Sequence, residues 1–255
     1  MYTWVEELKQ QLAKGQAFCR MRYENKGYLL PVEVPNDVRL EDLLEIESQK
    51  KAVLENMERF LKGKGYNHML LWGARGTGKS SLVRAVFHYF RSQDLVLLQL
   101  ACDDLQDLGA LLWVAAQQAQ HFLIYIDDLS FAANDDSYRA LKALLDGSIA
   151  GMSANIMLCV TSNRRHLLSE HHRNDDAIHP EEDTEEQISL AERFGLRLSF
   201  HPLSQQQYLT VVSHWAERMG IAPDEVLHRQ ALQFALLRGS RSARVAEQFI
   251  RQYSK

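Results

Sequence analysis

The stretch Gly73-Ala74-Arg75-Gly76-Thr77-Gly78-Lys79-Ser80 decides the fold class of this 255-residue chain. It matches the phosphate-loop pattern G-x-x-x-x-G-K-[ST], whose glycines let backbone N–H groups approach phosphate oxygens without obstruction by side chains. The apolar residues 69–72 before it predict a buried strand, and residues 79–90 after it predict a helix with one apolar face. This is the context that a phosphate loop requires, because the helix N-terminus presents its positive dipole end to the ligand.

The motif also indicates the ligand. Lys79 would reach the β- and γ-phosphates of a nucleotide such as ATP, and Ser80 would bind Mg²⁺. The predicted nucleotide-binding residues of the loop are Gly73, Ala74, Arg75, Gly76, Thr77, Gly78, Lys79, Ser80 and Ser81.

Segments typical of strands and helices alternate around this loop. We predict strands at residues 95–100, 122–126 and 156–161, and helices at residues 40–61, 103–118 and 137–145. Such alternation predicts an α/β fold, a parallel sheet with helices on both faces. We place this core at residues 40–201. A helix and a hairpin that turns at residues 24–27 would precede it in residues 1–39, and a small all-helical domain that begins near Ser204 would follow in residues 202–255.

Composition places the chain among ordinary globular proteins. It is 46% hydrophobic and 24% charged, and its net charge of −4 gives no sign of the basic footprint of a dedicated nucleic-acid binder. The apolar stretches are much shorter than the roughly 18 residues of a membrane helix. The first residues lack the pattern of a signal peptide. We therefore expect a cytoplasmic protein with no membrane partner, in which Cys19, Cys102 and Cys159 are reduced, buried thiols.

A second part of the site follows the predicted strand at residues 122–126, which ends in Asp127 and Asp128. Because parallel strands end at one edge of a sheet, Asp127 would lie beside Ser80 and help to hold the metal, directly or through water. Asp128 would orient or activate the attacking water. A glutamate is commoner in this role, and aspartate is shorter by one methylene.

From about residue 40 to residue 255 the chain resembles the AAA+ class of P-loop ATPases. The sequence Thr161-Ser162-Asn163 looks like sensor 1, whose polar residue, here Asn163, helps to position the water near the γ-phosphate. The sequence Glu192-Arg193-Phe194-Gly195 resembles the box that carries the arginine finger. The resemblance implies that Arg193 reaches the nucleotide of a neighbouring subunit and that the active form is a homo-oligomer.

The same resemblance extends to both ends of the nucleotide. Residues 239–244, which open the last predicted helix, look like sensor 2, so Arg244, or alternatively Arg241, would contact the nucleotide from a helical lid. Leu44 and Ile46 fall where such proteins form an adenine pocket. Glu45 between them is a departure, because AAA+ proteins often have glycine there.

A narrower resemblance rests on residues 71–83, 161–167 and 193–196, which are similar to a family of bacterial AAA+ ATPases whose cellular role is undefined. Asp127-Asp128 and Arg193-Phe194-Gly195 also look like the bacterial replication initiator. That initiator has a DNA-binding helical domain after its lid, which we do not expect in this chain.

Two charged segments allow more than one interpretation. Residues 174–186 contain seven acids and no Lys or Arg, which favours a solvated loop over a metal site and gives the hypothesis that the loop docks a basic partner. Residues 238–255 are basic, and a helix with a charged outer face is favoured over a surface that binds DNA.

These observations predict a Mg²⁺-dependent ATPase that couples lid and subunit motion to the remodelling or assembly of a macromolecular partner, either protein or DNA. The alternative is a switch or adaptor that binds ATP, hydrolyses it slowly and signals through its ATP-bound shape. Asp128 in place of glutamate favours the switch, whereas Asn163 and Arg193 favour hydrolysis.

Overall fold

The computed structural model describes residues 3–12, 16–24, 26–130, 136–145, 152–163 and 190–253. Its strands are β1 (Ala17–Tyr23), β2 (Lys26–Pro31), β3 (Met69–Gly73), β4 (Leu95–Leu100), β5 (His121–Ile126), β6 (Ile156–Ser162) and β7 (Leu196–Phe200). Its helices are α1 (Thr3–Leu12), α2 (Glu47–Leu61), α3 (Lys79–Phe90), α4 (Leu108–Ala115), α5 (Asp136–Leu145), α6 (Gln205–Arg218), α7 (Glu225–Leu237) and α8 (Ala243–Tyr253). Short 3₁₀ helices span Leu40–Asp42 and Cys102–Asp107. The acidic segment 174–186 lies outside the described residues.

Within these ranges the strands form one sheet in the order β2-β1-β4-β5-β6-β3-β7. Strands β4, β5, β6, β3 and β7 pair in parallel, which confirms the predicted parallel sheet. The hairpin of β1 and β2 is also confirmed, and Tyr23 pairs with Lys26 across its turn. Strand β1 pairs in parallel with β4, so the hairpin extends the sheet. The domain boundaries after residues 39 and 201 stay predictions.

Side chains that alternate along the strands divide the core into two layers. In β3, Leu71 faces one layer and Leu70 the other, and Leu123 and Ile124 alternate in the same way in β5. The first layer contains buried residues of α2, α3 and the C-terminal helices. The second contains buried residues of α4 and α5. Because both faces are covered, the central strands are almost wholly apolar, as in other parallel sheets.

Two predicted helices begin later than the sequence pattern indicated. The helix expected from residue 40 begins at Glu47, because Asp42 accepts a hydrogen bond from Arg39 N at 2.8 Å and Glu45 takes a left-handed conformation with φ 65°. The helix expected over residues 103–118 is a 3₁₀ helix followed by α4, Leu108–Ala115. In that 3₁₀ helix Asp107 pairs with Arg20 of β1 at 2.6 Å, which holds the segment against the hairpin.

The sequence analysis missed one strand and one helix. Strand β7 is a five-residue edge strand whose side chains are mostly half-buried, so it lacks the apolar run of the central strands. Helix α7 lies within residues 202–255, where the sequence predicted helices but did not indicate this one separately. Ser204 does begin α6: its hydroxyl accepts a hydrogen bond from Gln207 N at 3.2 Å, and Gln207 Oε1 accepts one from Ser204 N at 2.9 Å.

The sequence also led us to expect buried, reduced cysteines and no membrane helix. All three cysteines are free, but only Cys159 is buried, since Cys19 and Cys102 are partly exposed. Among the described residues, no helix has the length and apolar character that crossing a membrane requires.

Candidate functional site

The phosphate loop joins β3 to α3 at the carboxyl edge of the sheet, as predicted. Gly73 has φ 138°, and a Cβ at this position would lie 1.9 Å from the carbonyl oxygen of Phe200 in β7. Gly78 precedes the first turn of α3 with φ 98°. Only glycine adopts these conformations readily, so both residues are required for the loop to turn tightly between strand and helix.

Lys79 is buried, and its ammonium group lies inside the loop. The Nζ atom donates to the carbonyl oxygens of Gly73 and Ala74, at 2.7 and 2.8 Å, and to Asn163 Oδ1 at 3.2 Å. Burial lowers the pKa of Lys79, and Arg244 and Arg75 lower it further, against the opposing effect of the two aspartates that follow β5. All three acceptors that this cation has among the described residues are neutral, which fits a site that receives an anion.

Asp127 lies beside Ser80, as the strand-end argument predicted. Its Oδ1 atom accepts hydrogen bonds from the hydroxyls of Ser80 at 2.9 Å, Tyr125 at 2.6 Å and Thr161 at 2.6 Å. Burial raises the pKa of Asp127, but the hydrogen bonds from Thr161, Tyr125 and Ser80 and from the Asp128 backbone outweigh it and hold the pKa below its ordinary value. Asp127 is therefore a carboxylate at neutral pH.

The oxygens of Ser80 and Asp127 fit a magnesium ion. Mg²⁺ binds oxygen ligands octahedrally at about 2.0–2.1 Å, so two adjacent ligands lie about 2.9 Å apart. Ser80 Oγ and Asp127 Oδ1 are 2.9 Å apart. Both are hard oxygen donors, and the buried ammonium of Lys79 on the same loop is an adjacent positive charge that suits an anion.

Asp128 and Asn163 meet at the same edge of the sheet. Asn163 Nδ2 donates a hydrogen bond to Asp128 Oδ1, and Arg75 Nη2 lies 3.6 Å from Asp128 Oδ2. Asp128 has φ 54° and a side chain that is 53% exposed, while its backbone N–H donates to Thr161 Oγ1 at 2.9 Å. Two successive hydrogen bonds thus connect Lys79 to Asn163, the predicted sensor 1 residue, and Asn163 to Asp128.

These groups line a cleft of about 390 Å³ between the core and the C-terminal helices, a size typical of small-molecule sites. Leu44 and Ile46 line it, as predicted for an adenine pocket. Arg244 also lines it, and its backbone N–H donates to Gly76 O at 3.3 Å. Arg241 is exposed and lies in a separate groove, so of the two predicted sensor arginines the structure brings Arg244 to the phosphate loop.

Arg193 lies near the amino-terminal ends of the parallel strands, whereas the phosphate loop lies at their carboxyl ends. It comes just before β7, whose first residue, Leu196, donates from its backbone N–H to His68 O at 3.1 Å, next to the start of β3. The five residues of β7 separate this point from the loop by about 16 Å at roughly 3.3 Å per residue. Arg193 is not one of the described residues that line the cleft.

Sequence reasoning gave no role to two hydroxyls of the site, those of Tyr125 and Thr161. Tyr125 stands two residues before Asp127, so the two-residue period of a strand places both side chains on one face, and this signal was available. Thr161 meets Asp127 because Val160 pairs with Ile126 across β5 and β6. Only the sheet register contains that information.

A protein-family model described as "Protein of unknown function (DUF815)" matches residues 14–255. The chain belongs to the DUF815 family. A comparison with curated proteins found no match.

Solved structures show which fold this DUF815 protein has. The Thermotoga maritima RuvB Holliday junction branch migration motor is 17% identical with a TM-score of 0.57, and the match covers 84% of this chain and 63% of RuvB. The replication initiator DnaA bound to AMPPCP and single-stranded DNA is 13% identical with a TM-score of 0.60, and the match covers 88% and 66% of the two chains.

A third similar structure is the Aeropyrum pernix ORC1 protein in complex with DNA, at 14% identity and a TM-score of 0.57. The match covers 86% of this chain and 60% of ORC1. The DUF815 chain therefore spans less than two thirds of the length of each of these proteins. The shared architecture is the P-loop NTPase fold of AAA+ ATPases, which confirms the predicted fold class and the resemblance to replication initiators.

Proposed function

We propose that this DUF815 protein binds ATP with Mg²⁺ in the cleft and hydrolyses the bond between the β- and γ-phosphates. The observation that carries the proposal is one connected network at the ends of β3, β5 and β6. Lys79 and Ser80 come from the phosphate loop, Asp127 and Asp128 follow β5, and Asn163 follows β6. These are the residue types that phosphate and metal binding need, in contact with one another.

Phosphate binding would draw on groups that already point into the loop. The Lys79 ammonium would exchange its bonds to the carbonyl oxygens of Gly73 and Ala74 for bonds to phosphate oxygens, which are stronger because both partners are charged. Ser80 and Asp127 would hold Mg²⁺. Mg²⁺ would there neutralise charge that develops on the phosphate oxygens as the bond breaks.

Asp128 and Asn163 are the groups that would orient the attacking water. In hydrolysis the water oxygen forms a bond to the γ-phosphorus. The bond between the γ-phosphorus and the bridging oxygen breaks, its electron pair stays on the ADP oxygen, and one proton is released from the water. Within the part of the chain that the structure describes, Asp128 Oδ2 has one charged neighbour, the exposed Arg75 at 3.6 Å, so this oxygen can accept a hydrogen bond from water. Asn163, which contacts both Lys79 and Asp128, would fix the direction of that water.

Arg193 would act on the nucleotide of a neighbouring subunit. Arg193 lies near the amino-terminal ends of the strands, away from the cleft of its own chain, so a role as arginine finger requires a homo-oligomer. The motion of lid and subunits would then act on a macromolecular partner, a protein or DNA. RuvB, a branch migration motor, and DnaA and ORC1, whose structures contain DNA, are AAA+ relatives that support such a role.

The proposal is tested by steady-state ATP hydrolysis with Mg²⁺ over a wide range of protein concentration, for the natural chain and for Arg193→Ala. We expect specific activity to rise with concentration and to fall about 10³-fold or more in the variant, the effect of an arginine finger in other P-loop enzymes. Arg197→Ala, four residues later and exposed, is the control and should keep full activity. Activity that is independent of both concentration and Arg193 would contradict the shared site.

A second candidate function is the slowly hydrolysing switch, and the contacts of Asp128 favour it. Both carboxylate oxygens have a neighbour, Asn163 on one and Arg75 on the other, and aspartate reaches one methylene less far than glutamate. Under this alternative the chain binds ATP with Mg²⁺ but shows almost no turnover at any concentration. Asp128→Glu would then raise the rate of hydrolysis, whereas it lowers the rate of an ATPase in which Asp128 is already well placed.

A further inference from the structure

Lid helix α6 contacts the segment 42–46 of the core through a buried carboxylate. The Asp42 side chain is 3% exposed, and its Oδ1 atom lies 3.0 Å from Nε2 of His214. Its Oδ2 atom contacts the Arg218 guanidinium and accepts a hydrogen bond from Arg39 N at 2.8 Å. Asp42 therefore has partners on both carboxylate oxygens, and two of its three partners belong to the lid.

A second polar contact lies at the other end of the same segment. Gln207 Nε2 in the first turn of α6 donates to Glu45 Oε2 at 2.9 Å. Glu45 reaches this position with the left-handed backbone that precedes the late start of α2. The two contacts thus fasten α6 to the segment at both ends, near residue 207 and near residue 218.

Between these contacts α6 presents an apolar surface to the cleft. Val211 and Trp215 line the cleft and lie on the same helical face as Gln207 and Arg218, since successive members of this set are three or four positions apart. Trp215 is 7% exposed, and the Arg218 guanidinium carbon lies 5.0 Å from its ring centroid. Arg218 therefore contacts the buried carboxylate and the aromatic wall of the cleft at the same time.

We propose that Asp42, His214 and Arg218, together with Glu45 and Gln207, form a latch that places Trp215 against the base end of the bound nucleotide. The inference rests on the proposed nucleotide binding. Leaving a buried carboxylate without its cation is strongly unfavourable, so Asp42 holds α6 in one position. The latch residues are positioning residues, because the base would contact Trp215, Leu44 and Ile46, whereas the phosphates contact the loop.

If the latch exists, breaking it should affect binding of the base and binding of the phosphates differently. A variant with a broken latch should lose affinity for ligands that carry a base and keep its affinity for phosphate chains alone. We would measure Mg²⁺-dependent binding of ADP and of inorganic tripolyphosphate by calorimetry, using Asp42→Asn and Arg218→Gln. Glu41→Gln is the matched control, since Glu41 is the adjacent carboxylate, is itself exposed, and pairs with exposed Arg39 at 3.2 Å.

We expect Asp42→Asn and Arg218→Gln to weaken ADP binding about tenfold, or about 1.4 kcal/mol, and to change tripolyphosphate binding less than twofold. Unchanged ADP binding in both variants would overturn the latch, and so would equal losses for the two ligands, which indicate a general structural role. If the natural chain binds neither ligand, the proposed nucleotide binding fails, and the latch fails with it.

Two further measurements guard against a misfolded variant. Gln207→Ala breaks the half-buried end of the latch without disturbing the buried carboxylate of Asp42, and it should weaken ADP binding in the same direction, by a smaller factor. Tryptophan emission gives the second readout. Trp72 lies next to the phosphate loop and should respond to ADP and tripolyphosphate alike, so the emission change that ADP causes and tripolyphosphate does not is assigned to Trp215 and should be lost in Trp215→Phe. A difference between the two ligands that persists in Trp215→Phe would place Trp215 away from the base and contradict the proposal.

Discussion

The two ends of the cleft are built in different ways. The phosphate end uses the consecutive residues 73–80, whose loop lies between one strand and one helix. The base end uses pairs that are far apart in the chain: Glu45 and Gln207 are 162 positions apart, and Asp42 and His214 are 172 positions apart. Under the proposed function, a short local motif would therefore determine where phosphates bind, whereas packing of the lid on the core would determine the shape of the base end. The following predictions test this division, from the largest expected effect to the smallest.

Lys79→Ala should remove binding at the phosphate end. We expect affinity for ADP and for tripolyphosphate to fall together by about 100-fold, because hydrogen bonds to a charged group are worth about 1.5–3 kcal/mol each. Calorimetric titration of both ligands measures the change. Lys62→Ala, which removes an exposed lysine paired with Glu58 at 3.0 Å, is the control and should bind normally. If only ADP binding fell, the division between the two ends would be wrong.

Thr161→Val tests whether the phosphate end also depends on the sheet. The substitution removes one donor to Asp127 and the acceptor of the Asp128 backbone N–H, and leaving such groups unpaired costs about 1–3 kcal/mol. We expect the free energy of unfolding in urea to fall by about 2 kcal/mol, with a loss of Mg²⁺-dependent nucleotide binding. Thr210→Val on the exposed side of α6 should change neither quantity. An equal effect of both variants would show that Thr161 has no special role.

Arg244→Ala tests the one lid residue that the structure brings to the phosphate end. Removing it should weaken ATP binding about tenfold, the effect of one charged hydrogen bond at a partly exposed position. Arg241→Ala, in the same turn of chain but outside the cleft, is the matched control. The titrations are done side by side at one salt concentration. A larger loss in Arg241→Ala would reverse the assignment of the lid arginine.

Ser204→Ala should affect the lid alone. The serine caps α6, and the loss of such a cap costs about 1 kcal/mol. We expect a lower thermal midpoint and a small loss of ADP affinity, because Gln207 takes part in both the capping box and the latch. Tripolyphosphate binding should stay the same. Ser48→Ala, at an exposed serine whose hydroxyl donates to Gln49 Oε1 at 2.8 Å, serves as control.

The sequence predicted the elements that carry a local signal. Helix α3 and strand β4 have the bounds that their apolar patterns indicated, and Ser80 and Asp127 meet as the rule for strand ends requires. Strand β7 was missed because an edge strand has no continuous apolar run. The late start of α2 was also missed, because it depends on Asp42 and Glu45, whose side chains contact the distant lid.

The sequence by itself determined that the chain has a phosphate loop, a parallel sheet and a pair of acids at the end of β5. These features follow from backbone freedom at glycine and from apolar periodicity, both of which act over a few residues. Only the tertiary structure decided that Arg244, rather than Arg241, lies at the loop and that Arg193 lies near the amino-terminal ends of the strands. It also decided that Asp42 pairs with Arg218 of lid helix α6. Those positions depend on strand register and on the packing of helices, and no short stretch of sequence contains them.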